Sequence, residues 1–399
     1  MDARVRELVK ATIPVLKEHG VALTTYFYQR MFRHNPELKN IFNQSHNETG
    51  KQPVALAMAV LAYAENIDDP SVLAPVITLI ANKHASVGIR AEHYPIVGKH
   101  LLASIREVLG DAASDELIAA WGVAYGALAD VFIDAESKLY NQACNADGGW
   151  SGWRSFRIID KVRESEEITS LHLVPCDGGP LPAYRAGQYT TARVFVPELG
   201  VMQLRQYTLS IAPGAMHFRI SVKREPAGAT TPAGRVSNRL HDFYKVGDML
   251  ELAPPFGEFF LDETHDGPVV LISGGVGITP MISMLDRLVA AAPSRPVQFV
   301  HACRNAAVFA FGAHLAKVAE RNPQVRLHLF HDEGAVSAPV QAGRVDLRAL
   351  AGEVLAEGAD YYLCGPVGFL EAQIATLHAL GVESARIHAE VFDTGGIAT

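Results

Sequence analysis

His84 is the side chain best suited to hold a metal. It shares a helix face with Val76 and Ile80, the spacing of an apolar stripe, and a neutral imidazole on such a face can ligate haem iron. A histidine packed in a core for its own sake shows the same spacing, so its company decides. Tyr28 stands on the stripe Thr24, Phe27, Tyr28 and Met31, which puts a phenol inside a helical bundle. Gln52 and Leu56 lie one turn apart near the start of a later helix, and Phe42 falls in the turn between the two helices. Glu136 lies one turn beyond Phe132 on the stripe Leu117, Trp121, Tyr125 and Leu128, hence on a partly inward face.

A second set suits a nucleotide and a flat ring. Arg205 and Tyr207, two apart on a strand, project to one face, so one can hold phosphate while the other packs an isoalloxazine. Thr208, next in line, offers a hydroxyl to the flavin N5 region. Gly274, Gly275, Val276, Gly277, Ile278, Thr279 and Pro280 follow an apolar strand and precede a helix expected over Met281 to Ala290. Backbone N–H groups at such a helix start can cradle a pyrophosphate. The turn is not the Rossmann fingerprint, because Pro280 stands where the third glycine belongs. Taken alone it is better read as a tight turn without ligand. Cys364, Gly365 and Pro366 close an apolar strand, the fourth of a parallel sheet by the pattern.

The elements that must carry these residues come in three styles. Residues 3 to 142 lack strand alternation and form helices, one ending near Arg33 and one near Tyr140. Residues 145 to 152 are glycine-rich and punctuated, the best linker in the chain. The period then switches to two: Phe156 to Val162, Ile168 to Val174, Gln188 to Val196 and His217 to Lys223 alternate as strands between Gly/Pro clusters. From Pro268 short apolar strands (Val269 to Ser273, Gln298 to His301, Arg326 to Phe330, Tyr361 to Leu363) alternate with helices, which predicts a parallel sheet. The order is an all-α module, an antiparallel β-barrel and an α/β domain.

Composition excludes several classes. The 399 residues exceed one core, and a net charge of −8 with pI near 6.1 disfavours nucleic acid or an anionic membrane as partner. The start has no apolar segment of a secretory signal, and the longest uncharged apolar run, Pro53 to Ala64, is too short to span a bilayer. Cys144, Cys176, Cys303 and Cys364 form no C-x-x-C pair and suit reduced thiols in the cytoplasm.

Residues from about 153 to 399 resemble the ferredoxin-reductase-like flavoenzymes: Arg205, Gln206, Tyr207 and Thr208, then Gly274 to Pro280, then Cys364 to Pro366, in family order. The resemblance implies FAD and a nicotinamide nucleotide. Tyr189 would border the flavin, Ser237 in the loop Gly234 to Asn238 would meet the pyrophosphate, and Cys364 would stand beside the nicotinamide. Glu390 and Phe392 belong to the last strand, whose aromatic residue would cover the flavin. Beyond it, Asp393 to Gly396 lacks the Gly-Pro of close relatives.

The helical module adds Phe27 to Phe32, Asn35 to Leu38, Lys83 with His84, and His93 to Gly98. With these the chain resembles the bacterial flavohaemoglobins nearly end to end. That family implies protohaem on His84, flanked by Lys83, with Phe42 and Leu56 against the porphyrin. Tyr28 and Gln52 would serve the oxygen ligand, and Tyr94 and Glu136 would hydrogen-bond around the ligating histidine. It also implies a globin domain over 1–144, an FAD domain over 153–264 and an NAD(P)H domain over 267–399. The activity implied is nitric oxide dioxygenation: NAD(P)H reduces FAD, FAD reduces haem, and haem-bound O₂ oxidises NO to nitrate. No nucleic acid or obligatory protein partner is expected, and a lipid in the distal haem pocket is a further ligand. An NAD(P)H oxidase or general reductase is the alternative, an oxygen store or sensor the third reading. Arg304, just after the second α/β strand, is the one pointer to a 2′-phosphate, and NADH against NADPH stays open.

Overall fold

The computed structural model describes residues 1–228 and 232–392, so the expectation about Asp393 to Gly396 lies outside the described residues. The chain forms two compact units: Met1–Trp153 with Thr191–Arg205, and Arg154–Thr190 with the chain from Gln206 onward.

The first unit is built on seven helices, α1 (Ala3–Ala11), α2 (Ile13–His34), α3 (Gln44–Glu48), α4 (Lys51–Glu65), α5 (Ala74–Val87), α6 (His93–Leu109) and α7 (Asp115–Asn145). Local signals set several ends. Asp2 caps α1, Pro14 sits in the first turn of α2, and Ser114 caps α7 ahead of Asp115 and Glu116, where acids oppose the positive end of the dipole. The stripe Thr24, Phe27, Tyr28 and Met31 is buried as the periodicity requires. Helix α7 runs past Tyr140 to Asn145, longer than expected. It is long and apolar enough to cross a membrane by composition, yet it packs against α1, α5 and α6 and buries Glu136, which marks a core helix. Strands β3 (Tyr189–Val196, from Thr191) and β4 (Val201–Thr208, to Arg205) group with this unit.

In the second unit β1 (Arg154–Arg163) pairs antiparallel with β2 (Ile168–Pro175) and with β6 (Met249–Leu252), and β2 pairs with β5 (Phe218–Lys223). Helix α8 (Arg235–Asp242) precedes β6. The ammonium of Lys161 on β1 donates to the carbonyls of Leu240, His241 and Tyr244 at 2.6–3.1 Å, a cation on the negative end of α8.

The parallel sheet contains β7 (Val269–Gly274), β8 (Val297–Cys303), β9 (Val325–His331), β10 (Val340–Ala342), β11 (Asp360–Cys364) and β12 (Ile387–Glu390) in the order β10-β9-β8-β7-β11-β12. It is interleaved with α9 (Ile278–Ala291), α10 (Gly312–Arg321), α11 (Ala351–Val354) and α12 (Val367–Ala379). The central strand β7 is buried along its whole length, the continuous apolar run of a sheet covered on both faces. Two short strands, β6 and β10, have no expectation behind them; β10 makes the strand ending in Cys364 the fifth, not the fourth.

Candidate active site

In the helical unit α5, α6 and α7 bring three expected residues together. His84 Nδ1 lies 2.7 Å from Glu136 Oε1 and 3.2 Å from Tyr94 Oη, and Tyr94 Oη donates to the same Glu136 oxygen at 2.5 Å. Glu136 is only 2% exposed, more inward than its stripe promised. Burial, then the bond to Glu136, holds the Tyr94 phenol far above its usual range, so it stays a donor. Nδ1 therefore faces acceptors and carries the proton, which leaves the lone pair on Nε2. The His84 side chain is 35% exposed, and among the described residues no hydrogen bond reaches Nε2. A buried carboxylate on one ring nitrogen and an open lone pair on the other is the arrangement of a ligating imidazole.

The surroundings fit haem in particular. Among the described residues no group of three or more His, Cys, Asp or Glu could hold a metal. A metal at His84 must then bring its other ligands with it, as a porphyrin does. Phe132 packs its ring 5.5 Å from the imidazole, a contact no motif announced beyond its place in the α7 stripe. Tyr125, also from that stripe, donates through Oη to the Tyr94 carbonyl at 2.7 Å. Its ring occupies the place of the missing Gly98 side chain: a Cβ there would stand 2.5 Å from Tyr125 Cε1.

Tyr28 is buried on α2, and Gln52 Nε2 donates to its hydroxyl at 3.3 Å. Burial raises the Tyr28 phenol to about 12, against a smaller downward effect of the Gln52 bond, so it is protonated at neutral pH. Phe42 sets its ring 5.8 Å from Tyr28. It packs on the apolar cluster containing Tyr28 and also on the one containing Tyr94 and Phe132. Leu56, one turn past Gln52, packs on the Tyr28 cluster. Lys83 is half-buried, with no contact that assigns it a role.

In the second unit two distant motifs meet. A Cβ on Gly277 would lie 2.1 Å from the Cys364 carbonyl oxygen, and one on Gly365 would lie 3.1 Å from the Gly274 amide nitrogen. Gly275 has φ +56, a left-handed backbone that glycine adopts without cost. The turn Gly275–Gly277 runs into α9, where Ile278 and Thr279 are buried and Thr279 Oγ1 donates to the Val276 carbonyl. Pro366 lies against Gly274. A Cβ-free cradle at a helix start is the shape a pyrophosphate needs. Cys364 is fully buried, and burial, reinforced by Glu390 on the neighbouring strand, keeps its thiol well above the usual range. It is a small neutral side chain, not a thiolate.

The remaining expected residues are distributed as follows. The Tyr189 ring lies over Gly257, where a Cβ would come within 2.8 Å of it. Ser237 Oγ lies against Gly234, which precedes α8 and whose amide donates to the Glu225 carbonyl. On β4, Arg205 and Tyr207 are half-buried, Gln206 is exposed and Thr208 buried. The Arg205 guanidinium donates to the Leu204 carbonyl and reaches Ser45 Oγ at 3.4 Å. Phe392 is 49% exposed.

Two family models match separate stretches of the chain. Residues 25–132 match the family model described as globin, and residues 271–374 match that of the oxidoreductase NAD-binding domain. A globin carried on a pyridine-nucleotide oxidoreductase is the class that fold and sites define. A flavohemoprotein of Chromobacterium violaceum is 57% identical over 98% of both chains. The crystal structure of a flavohemoglobin from Malassezia yamatoensis with bound FAD and heme superposes with TM-score 0.86 at 26% identity, over 98% of this chain and 99% of that one. The flavohem-like FAD/NAD-binding domain of a nitric oxide dioxygenase from Vibrio cholerae matches 60% of this chain and 98% of its own, at 39% identity and TM-score 0.55. The chain belongs to the flavohemoprotein family.

Proposed function

We propose that this chain is an NAD(P)H-dependent nitric oxide dioxygenase that converts NO and O₂ to nitrate with FAD and haem as its cofactors. The observation that carries the reading is the His84–Glu136–Tyr94 constellation, a ligating imidazole with its second nitrogen fixed, in one chain with a nucleotide cradle. Relatives support it: one solved flavohemoglobin holds FAD and heme, and another relative's domain comes from a nitric oxide dioxygenase.

When bound, the flavin would split a hydride into single electrons and the haem would supply an iron for dioxygen. The chain's residues do the rest. His84 Nε2 would hold the iron, while Glu136 and Tyr94 fix the imidazole and increase its basicity. Tyr28 and Gln52 would offer hydrogen bonds to dioxygen, and Phe42, Leu56 and Lys83 would border the porphyrin. Arg205 and Ser237 would neutralise FAD phosphates, with Tyr189, Gln206, Tyr207 and Thr208 around the ring. Gly274 to Thr279 would cradle the nicotinamide nucleotide, and Cys364, Gly365, Pro366, Glu390 and Phe392 would line its reacting end. We assign 1–144 to haem, 153–264 to FAD and 267–399 to NAD(P)H. The described cysteines are all free, which favours the cytoplasm. A lipid chain is a further ligand that the apolar residues Phe42 and Leu56 would accept.

The test is NADH consumption under air with and without NO, alongside an absorption spectrum. A haem Soret band over flavin absorbance, with NO-dependent NADH oxidation yielding nitrate, is the expected result. NADH oxidation indifferent to NO would make the protein an oxidase instead.

A further inference from the structure

Phe42 packs on both apolar clusters of the helical unit, and its backbone is held by a strand far away in sequence. It lies between the 3₁₀ turn Pro36–Asn40 and α3, with its ring 5.8 Å from that of Tyr28 and 5.7 Å from that of Phe32. Gln203 on β4 grips the chain on either side of it. Gln203 Nε2 donates to the Lys39 carbonyl at 3.2 Å and to the Met202 carbonyl at 2.7 Å, and Oε1 accepts from the Gln44 amide at 3.1 Å. Gln203 is only 1% exposed. Both hydrogens and the oxygen of its amide are used, the full pairing that burial requires.

Two further bonds complete the clamp. The Met202 amide donates to Asn40 Oδ1 at 2.9 Å, and Gln44 Nε2 donates to the Phe42 carbonyl at 3.0 Å. Gln203 and Arg205, two apart on a strand, project to one face, and Arg205 reaches Ser45 of the same segment. All these bonds lie within the first unit. A glutamine that merely tied a strand to a loop would need one partner there. Gln203 brackets a single aromatic residue from both sides, and it does so from the strand that carries Arg205.

We propose that Gln203 is a positioning residue for electron passage from flavin to haem: it holds Phe42, and with it the porphyrin border, at a fixed place relative to Arg205. The inference rests on the reading of Arg205 as a flavin contact and of Phe42 as a porphyrin contact. One hydride gives the flavin two electrons, and each, passed singly, converts one ferric iron to ferrous. Gln203 acts through Phe42 and supplies no charge; its effect is to remove freedom from the segment beside the porphyrin. A misplacement of about 1 Å costs on the order of a hundredfold where geometry governs a rate. Loosening the segment therefore slows this transfer and leaves hydride transfer alone.

The experiment uses the full-length holoprotein, with haem content, FAD content and the haem spectrum recorded for every variant. Gln203→Met keeps the length of the side chain and loses all three of its bonds. Gln44→Met keeps the backbone bond to Gln203 and loses the bond to the Phe42 carbonyl. After anaerobic mixing with NADH, flavin and haem reduction are followed at separate wavelengths. Gln203→Met is expected to reduce flavin at the normal rate and haem about tenfold or more slowly, with the haem midpoint potential unchanged. Amide exchange at Gln44 should quicken about fivefold or more, the loss of one hydrogen bond. Gln44→Met should show the same split between flavin and haem reduction to a smaller degree. Faster exchange with haem reduction unaltered makes Gln203 a clamp of structure alone and overturns the proposal. Slower haem reduction with a shifted potential also overturns it, because the effect then lies at the iron. Should Gln203→Met fail to fold, Gln44→Met decides by the same split. An intact protein that binds no haem or no FAD sinks the reading of the sites, and the proposal with it.

Discussion

The carbonyl oxygen of Cys364 sits 2.1 Å from where a Cβ on Gly277 would be. The glycine turn and the end of β11 are therefore in backbone contact, and residue 277 has room for hydrogen only. Gly277→Ala must push β7 and β11 apart at their carboxyl ends, at a cost of roughly 1–3 kcal/mol in an overpacked core. The expected outcome is a fall of about tenfold or more in anaerobic flavin reduction by NADH, with haem absorbance unchanged. A variant that reduces flavin at the normal rate would show that the contact is not needed.

Glu136→Gln replaces the carboxylate that accepts from His84 Nδ1. The imidazole becomes a weaker donor to iron, so the ferric state loses stabilisation and the haem midpoint potential rises. A hydrogen bond to a charged group is worth about 1.5–3 kcal/mol, and about 1.4 kcal/mol corresponds to 59 mV for one electron. A rise on the order of 60 mV is expected by spectroelectrochemical titration. An unchanged potential would remove Glu136 from the electronic control of the site.

Tyr28 carries a pH signature of its own. Its folded-state phenol is raised by burial to about 12, against about 10 for an exposed tyrosine. The raised value makes its contribution to stability fully present below pH 10 and lost as pH climbs towards 12. That loss amounts to roughly 2–3 kcal/mol. Denaturant midpoints measured from pH 9 to 12 should fall less steeply in Tyr28→Phe, which has no proton to lose. The same variant should release O₂ about ten- to a hundredfold faster, the loss of one hydrogen bond to a charged group.

Arg205→Ala should weaken FAD binding by about 1.5–3 kcal/mol, the value of a charge-assisted hydrogen bond, while haem stays in place. Equilibrium dialysis for FAD and a pyridine haemochrome assay read the two separately. Loss of haem in step with FAD would dissociate Arg205 from the flavin role assigned to it.

Much of this organisation was legible in the chain because local chemistry and global fold agree. The apolar stripe on α2 and the strand–turn–helix pattern from Val269 each contain their own period. Several contacts between remote segments were not legible. Gly277 reads as a phosphate turn in sequence, but its tightest constraint is the Cys364 backbone, which only the β7–β11 pairing brings near. Tyr125 reads as one more stripe residue, and its bond to the Tyr94 carbonyl depends on how α6 and α7 cross. The Glu167–Arg304 ion pair joins a β-turn to a strand end with no periodicity to announce it. Strands β6 and β10 escaped notice because four and three residues are too few to establish alternation.

Gly98 gives the carboxylate beside His84 an unexpected governor. Because α6 bears no side chain there, the Tyr125 ring nests against it and its hydroxyl ties α7 to the Tyr94 carbonyl. Glu136 rides further along that same helix, so the reach between Glu136 and Tyr94 is calibrated by a hollow one turn from Tyr94. Filling the hollow would detune the imidazole with both of its hydrogen-bonding partners, Tyr94 and Glu136, still intact in sequence, which makes Gly98 a place where redox character can drift under mutation without any ligand being touched.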